Sequence, residues 1–177
     1  LPVQSGNDLV LKRMNRKYTS GEYTEKMNKL KERVPGISIT TDIIVAFPGE
    51  TEEQFQDTVK LVKEIEFEGA YTFIYSPREG TPAATYENLL TEEEKKQRLL
   101  ALNKVINNYT NKGHKRFESE IVQVLVDGFS KTNEEMLTGY TEHNMLVNFE
   151  GSKELIGKIV KVKVLKAYTW HLLGELI

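Results

Sequence analysis

The sequence predicts two parts, an α/β part built on parallel strands and then a small all-β barrel. In residues 1–118, apolar segments with helical spacing alternate with short β-branched runs. After residue 118 the spacing of apolar residues changes to two, and five short strands separated by Gly, Asn and Ser follow. We therefore predict a partial, TIM-like parallel barrel over residues 1–118 and a five-stranded antiparallel, OB-like barrel over residues 119–177.

Three capping boxes mark the expected helix starts in the first part. They begin at Thr19, Thr51 and Thr91, each followed three residues later by Glu or Gln. The β-branched runs at 37–47 and 70–75 flank the second helix, which predicts one β-α-β unit. At most three strand–helix units precede the small barrel, too few for a complete eight-stranded barrel enzyme. Such an incomplete barrel exposes sheet edges and apolar surface.

Composition narrows the classes of function. The 177 residues carry a net charge of -2, so any nucleic-acid contact must come from local patches rather than from a global basic field. No apolar run is long enough for a membrane span and no signal peptide opens the chain, which predicts a cytoplasmic protein without a membrane partner. The chain has no Cys, and its three His lack ligand spacing, so we predict no metal site within it.

Candidate pocket residues lie where predicted parallel strands end, the usual location of chemistry in α/β barrels. They are Gln4, Ser5, Asp42, Ser76 and Arg78. A carboxylate within an apolar strand is costly unless it is bonded, so Asp42 either binds a ligand or bonds a neighbouring loop. The planar guanidinium of Arg78 suits a carboxylate or phosphate.

These residues could instead have purely structural roles. Arg78 could be an exposed loop residue paired with Glu79. Gln4 and Ser5 could bond a ribose or a base, or could merely cap the helix that begins near Asn7.

Candidate RNA-binding residues combine cations, amides and aromatic rings. Arg16 and Lys17 lie beside Tyr18, and residues 112–116 form a second basic patch. A cation beside an aromatic ring can hold a phosphate and stack a base, but both patches could also be solvated helix ends. The small barrel adds four further candidates: Lys131, Asn144, Asn148 and Trp170. Trp170 could equally be the central core residue of that barrel.

Several longer strings together resemble one family. Leu-Pro-Val-Gln-Ser-Gly at 1–6, Thr-Asp-Ile-Ile-Val-Ala-Phe-Pro-Gly-Glu-Thr at 41–51 and Tyr-Ser-Pro-Arg-Glu-Gly-Thr-Pro-Ala at 75–83 resemble the radical S-adenosylmethionine (SAM) methylthiotransferases. Asn-Met-Leu-Val-Asn-Phe-Glu-Gly at 144–151 and Thr-Trp-His-Leu-Leu-Gly-Glu-Leu at 169–176 resemble the TRAM domain of the MiaB-type subgroup. The resemblance covers essentially the whole chain.

The resemblance implies an activity, cofactors and a partner. In that subgroup a methylthio group is added to C2 of isopentenyl-adenosine beside the anticodon of tRNA, with SAM and two 4Fe-4S clusters in the full-length enzyme. The resemblance implies that the SAM and substrate pocket is lined by Gln4, Ser5, Asp42, Ser76 and Arg78. It also implies that the tRNA anticodon stem-loop is contacted by Arg16, Lys17 and the polar residues of the TRAM domain.

The sequence departs from the family in two respects. No cysteine is present to bind a cluster, so we expect the chain to be the C-terminal part of a longer enzyme, inactive without its N-terminal half. Ala46 stands where the family often has Gly. Two alternatives stay open: a non-catalytic RNA-binding module, and methylthiolation of a ribosomal-protein side chain.

Overall fold

The computed structural model describes residues 1–131 and 133–177, which form two compact units. The units are Leu1–Tyr109 and Thr110–Ile177, and each is described by itself. The division lies earlier along the chain than the proposed domain limit at residue 118, because the last turns of the final helix bond to the barrel. Within the described ranges, no helix combines the length and apolar character needed to cross a lipid bilayer.

The first unit contains a parallel sheet covered on one side by helices. Its elements are α1 (Asp8–Arg13), α2 (Ser20–Arg33), β1 (Thr40–Val45), α3 (Glu52–Ile65), β2 (Gly69–Ile74) and the greater part of α4 (Glu92–Lys115). Strands β1 and β2 pair in parallel from Thr40 opposite Gly69 to Val45 opposite Ile74, which confirms the predicted β-α-β unit. The capping boxes at Thr19 and Thr51 form as predicted.

A further segment extends this sheet on the other side of β1. Residues 1–4 run parallel to β1, with a bridge between Gln4 and Ile43. The core below the sheet consists of buried side chains from the strands and from α2 and α3, among them Val3, Met27, Ile43, Phe55, Val62 and Phe67. Apolar side chains at helical spacing on α3 and at alternate positions on β1 therefore meet in one layer.

The second unit is a closed barrel of five strands. They are β3 (Ile121–Phe129), β4 (Met136–Thr141), β5 (Leu146–Glu150), β6 (Ile159–Ala167) and β7 (Leu172–Leu176), in the ring order β3-β4-β5-β7-β6. The closed ring of five strands confirms the predicted small barrel. Alternate residues such as Val124, Val147, Phe149 and Val162 fill the interior.

The prediction of a wholly antiparallel barrel was wrong for one pair of strands. Strands β5 and β7 pair in parallel, whereas the other four pairs are antiparallel. A closed ring with an odd number of strands cannot alternate in direction at every step, so at least one neighbouring pair must be parallel. A closed barrel of the five predicted strands therefore requires one parallel pair.

Candidate cofactor face and nucleic-acid interface

The sheet of the first unit has one buried face and one uncovered face. On β1, Ile43 and Val45 are fully buried against the helices, whereas Asp42 and Ile44 point to the other side and are half-buried. Their neighbours in register on β2 are Tyr71 and Phe73, which are 70% and 53% exposed. We call Asp42, Ile44, Tyr71 and Phe73 the open face. Exposed aromatic rings in a row are the apolar surface expected of an incomplete barrel.

The first segment of the chain brings Gln4 beside Asp42. The Gln4 amide donates to the Asp42 carbonyl at 2.9 Å, and the Ile44 amide donates to the Gln4 carbonyl at 2.9 Å. Gln4 has a positive φ of 69°, so the backbone leaves the strand direction at this residue. The structure thus places the first predicted strand end beside the middle of β1.

Ser5 occupies a different environment from the other predicted pocket residues. It is fully buried, its hydroxyl lies 3.3 Å from that of Thr58 on α3, and it accepts a hydrogen bond from the Asn7 amide. Asn7 itself caps α1 by accepting from the Leu9 and Val10 amides. The helix cap is therefore made by Asn7, and Ser5 holds the strand end against α3.

The third predicted strand end lies beside the carboxyl end of β1. The Tyr75 amide donates to the Val45 carbonyl at 2.9 Å, so the chain leaves β2 beside the end of β1. Ser76 and Arg78 follow in an exposed loop, which is closed by Thr81 donating to the Arg78 carbonyl from its amide and its hydroxyl. Ser76 and Arg78 thus follow the carboxyl end of the sheet, where parallel strands end together. Gln4 and Asp42 lie further back, in the middle of the sheet, because Asp42 is the third residue of β1.

A buried ion pair that was not predicted supports the loop after β1. Glu50 and Arg98 are both buried, and Arg98 Nη1 lies 2.9 Å from Glu50 Oε2 and 3.0 Å from the Glu50 carbonyl oxygen. The same Oε2 accepts from the Ala46 amide at 2.8 Å. Burial raises the pKa of Glu50, although the hydrogen bonds from Ala46 and Arg98 act in the opposite direction. No local sequence signal links positions so far apart.

The loop also contains backbone strain at Ala46, which has a φ of 57°. Glycine adopts this conformation at little cost, whereas a residue with a Cβ loses roughly 1–2 kcal/mol there. We expect Ala46→Gly to raise the free energy of unfolding of the first unit by about 0.5–1 kcal/mol, after the entropy cost of glycine is subtracted. The measurement is urea unfolding followed by far-UV circular dichroism.

The matched control for Ala46→Gly is Ala101→Gly, an exposed position inside α4. The same chemical change in a right-handed helix should lower stability by about 1 kcal/mol. Opposite signs for the two variants would support strain at Ala46, and a loss in both would contradict it.

The open face suits a ligand with both apolar and polar groups. Ile44, Tyr71 and Phe73 offer contact to a flat ring, and Asp42 offers an acceptor for hydroxyl or amino groups. The chemistry of this donor set fits the adenosine part of SAM. It does not fit an iron–sulfur cluster, because the chain has no cysteine thiolate. A cavity of about 580 Å³ lies elsewhere, among α1, α2 and α3, and none of the five candidates lines it.

The basic candidates of the first unit follow α1. Arg16 and Lys17 are both exposed. Tyr18 is less available, because its hydroxyl donates to the carbonyl oxygens of Pro2 at 3.1 Å and Val3 at 3.2 Å. Tyr18 therefore holds the first segment of the chain by hydrogen bonds. The neighbouring Arg16 and Lys17 remain on the surface.

The barrel candidates are divided between its two ends and its wall. Lys131 is exposed in the β3–β4 connection. Asn144, with a φ of 58°, lies in the β4–β5 turn, and Trp170 lies in the β6–β7 loop. The strand directions put these two connections at the same end of the barrel and Lys131 at the opposite end. Asn148 lies on the outer wall of β5, half-buried.

Trp170 is 71% exposed, so it is not the central core residue of the barrel. The end of the barrel that carries it also receives the last turn of α4. His114 Nδ1 there lies 2.9 Å from the Tyr168 carbonyl oxygen, and Phe117 contacts the ring of His143 at 5.2 Å between centroids. No group of three or more His, Cys, Asp or Glu in the described part of the chain is placed to hold a metal ion.

Comparison with known proteins finds similarity in both parts of the chain. The family model of the radical SAM superfamily matches residues 1–62, and that of the TRAM domain matches residues 115–177. Proteins named tRNA-2-methylthio-N(6)-dimethylallyladenosine synthase are similar over all 177 residues. The identity is 54% for Bacillus subtilis, 53% for Bacillus cytotoxicus and 52% for Geobacillus kaustophilus. The chain covers 35%, 35% and 33% of these relatives, about a third of their length.

Proposed function

We propose that this chain, a segment of the radical SAM superfamily followed by a TRAM domain, is part of an enzyme that methylthiolates tRNA. The product would carry the methylthio group at C2 of an isopentenyl-adenosine beside the anticodon. The observation that carries this proposal is that more than half of the 177 residues are identical to those of proteins named tRNA-2-methylthio-N(6)-dimethylallyladenosine synthase, with both parts of the chain included in the match.

The open face and the strand ends around it form the proposed binding surface for SAM and for the substrate base. Gln4, Asp42, Ser76 and Arg78 would supply hydrogen bonds, and Ser5 would act as a positioning residue through its contact with Thr58. When bound, SAM and two 4Fe-4S clusters would supply the radical chemistry, the sulfur and the methyl group. Because this chain has no cysteine, the cluster ligands must come from another part of the polypeptide, the proposed N-terminal half.

Each unit has its own proposed RNA-binding residues. Arg16 and Lys17 would contact phosphates from the first unit. From the barrel, Lys131, Asn144 and Asn148 would bind the backbone or base edges, and Trp170 would stack on a base. The anticodon stem-loop is the proposed RNA element, and the cytoplasm is the proposed location, where tRNA is modified.

The test uses the full-length polypeptide that contains this segment, with its clusters reconstituted. It is incubated with SAM, a reductant, a sulfide source and tRNA that carries isopentenyl-adenosine, and the digested tRNA is examined by mass spectrometry. We expect 2-methylthio-isopentenyl-adenosine to appear, and to fall at least tenfold in an Asp42→Asn variant, if Asp42 holds the ligand as a charged acceptor. Unmodified tRNA with the intact protein would contradict the proposal.

The same experiment separates the two alternatives. A ribosomal-protein acceptor predicts product on protein and none on tRNA, and the names of the relatives favour tRNA. A non-catalytic RNA-binding module predicts tRNA binding with no product on either acceptor. This chain has no cysteine. The non-catalytic alternative requires that the rest of the full-length polypeptide also lacks cluster ligands.

A further inference from the structure

The β6–β7 loop of the barrel presents aromatic rings to solvent in a defined arrangement. We call residues 168–171 the aromatic loop. The rings of Tyr168 and His171 are stacked, with centroids 4.8 Å apart and planes at 19°, and the Tyr168 amide donates to the His171 carbonyl at 2.9 Å. Between them Trp170 is 71% exposed, although tryptophan is normally well buried in a folded domain. The rings of Tyr168 and His171 thus contact each other, and the largest ring of the loop is exposed to solvent.

The end of α4 holds this loop through two side chains. His114 is buried, and its Nδ1 lies 2.9 Å from the Tyr168 carbonyl oxygen. A carbonyl oxygen can only accept, so Nδ1 must carry the proton. The Thr169 hydroxyl donates to Asn111 Oδ1 at 2.8 Å. A loop fastened at two successive residues loses little conformational entropy when a ligand binds to it.

Charged groups next to the loop favour an anionic ligand. Lys166 Nζ lies 5.0 Å from the centroid of the Tyr168 ring, and Lys115 is exposed at the C-terminal end of α4. Glu118, an acidic side chain beside β6, accepts a hydrogen bond from the Ala167 amide at 3.0 Å. A flat exposed ring with cations beside it matches a nucleotide, which has an apolar base and a negative phosphate.

We propose that the aromatic loop binds one unpaired nucleotide of an RNA. Its base would stack on Trp170 and its phosphate would lie near Lys166, while His114 and Asn111 act as positioning residues for the loop. The base must be unpaired because the faces of a base inside a helix are covered by its neighbours in the stack. This inference rests on the proposed function and names the part of the RNA that the TRAM domain recognises.

The test exploits the fact that Trp170 is the single tryptophan of the chain, so its fluorescence reports directly on the loop. The 177-residue chain is titrated with an RNA hairpin that has an unpaired loop and with a fully paired duplex of the same length. We expect the hairpin to quench Trp170 and the duplex to leave it unchanged. Trp170→Ala, followed by anisotropy of a labelled hairpin, should weaken binding roughly tenfold, as for one stacked base.

Variants at His114 test the positioning role. His114→Asn keeps a donor close to the position of Nδ1, whereas His114→Leu removes it. We expect the Leu variant to weaken hairpin binding about fivefold, roughly the value of one net hydrogen bond, and to lower the fluorescence anisotropy of Trp170 without RNA. The Asn variant should restore both. A purely structural role would instead weaken hairpin and duplex binding equally.

Lys166→Met and Lys153→Met form the matched charge pair, because Lys153 lies at the opposite end of the barrel. Only the first should weaken hairpin binding and lower its salt dependence. Quenching by both RNAs, by neither, or only by unrelated peptides would overturn the inference. Full-length Trp170→Ala enzyme that methylthiolates tRNA at unchanged kcat/KM would also overturn it and would leave the proposed function intact.

Discussion

Replacing Arg98 by leucine is expected to lower the free energy of unfolding of the first unit by about 3–5 kcal/mol, the usual cost of leaving one buried charge without its partner. Arg98 and Glu50 are 8% and 4% exposed, and the guanidinium is the only cation bonded to that carboxylate among the ion pairs of the described residues. Leucine keeps an apolar contact with Phe55, over which Arg98 lies. The loss should therefore come mainly from the charge.

The loss caused by Arg98→Leu should depend on pH. Burial already raises the pKa of Glu50, so the folded state binds its proton more tightly than the unfolded state does. Stability from this group is therefore greatest at low pH and falls as pH rises through the raised pKa. Without Arg98 that pKa rises further, so we expect a smaller loss near pH 5 than near pH 8.

Urea unfolding of the 177-residue chain, followed by circular dichroism of its helices, measures both effects. Adding Glu50→Gln to Arg98→Leu should recover part of the loss, because a neutral amide can still accept from the Ala46 amide. Lys29→Leu is the control, since it breaks an exposed ion pair with Glu25, which water screens, and it should cost far less stability than Arg98→Leu. If Arg98→Leu and Lys29→Leu lowered stability equally, burial of Glu50 would not make the loss of its partner more costly.

Replacing Gly139 by alanine should destabilise the barrel by about 2–3 kcal/mol through overpacking. A Cβ at this position would lie 2.7 Å from Val124 Cγ1 and even closer to the Leu125 carbonyl oxygen. Backbone atoms of the paired strand cannot move aside as a flexible side chain can, so β3 and β4 would have to separate. The expected result is a lower midpoint of urea unfolding, followed by the fluorescence of Trp170, which lies in this unit.

Gly128→Ala is the matched control for Gly139→Ala. Gly128 lies on the neighbouring strand β3, and a Cβ there would meet no atom within 4 Å. This variant should change barrel stability by less than about 0.5 kcal/mol. If both variants caused the same loss, the effect would belong to glycine replacement in a strand and not to the close approach at Gly139.

Local patterns predicted most of the elements because they involve residues near one another in the chain. Thr19 and Thr51 accept from amides three residues later, so their capping boxes could be read directly from the sequence. The strand ends were also predictable, because parallel strands place their ends at one edge. Gln4 and Asp42 meet further back, within the sheet.

Tyr71 and Phe73 show where the local pattern was insufficient. Both sides of β2 carry apolar residues, so the period of two could not say which side the helices cover. Only the packing of α2 and α3 against Ile43 and Val45 decided that the aromatic side is the exposed one. The role of Ser5 could not be predicted either, because its partner Thr58 lies on α3 and meets it only when that helix packs against the sheet.

The sequence by itself determined the two-part organisation, the helix starts and the family resemblance, since each rests on residue types at short, regular spacings. Only the tertiary structure decided which distant residues meet. Glu50 and Arg98 are 48 positions apart, and His114 and Tyr168 are 54 apart. Contacts of this kind depend on how whole elements pack, which the spacing of residues within one element does not contain.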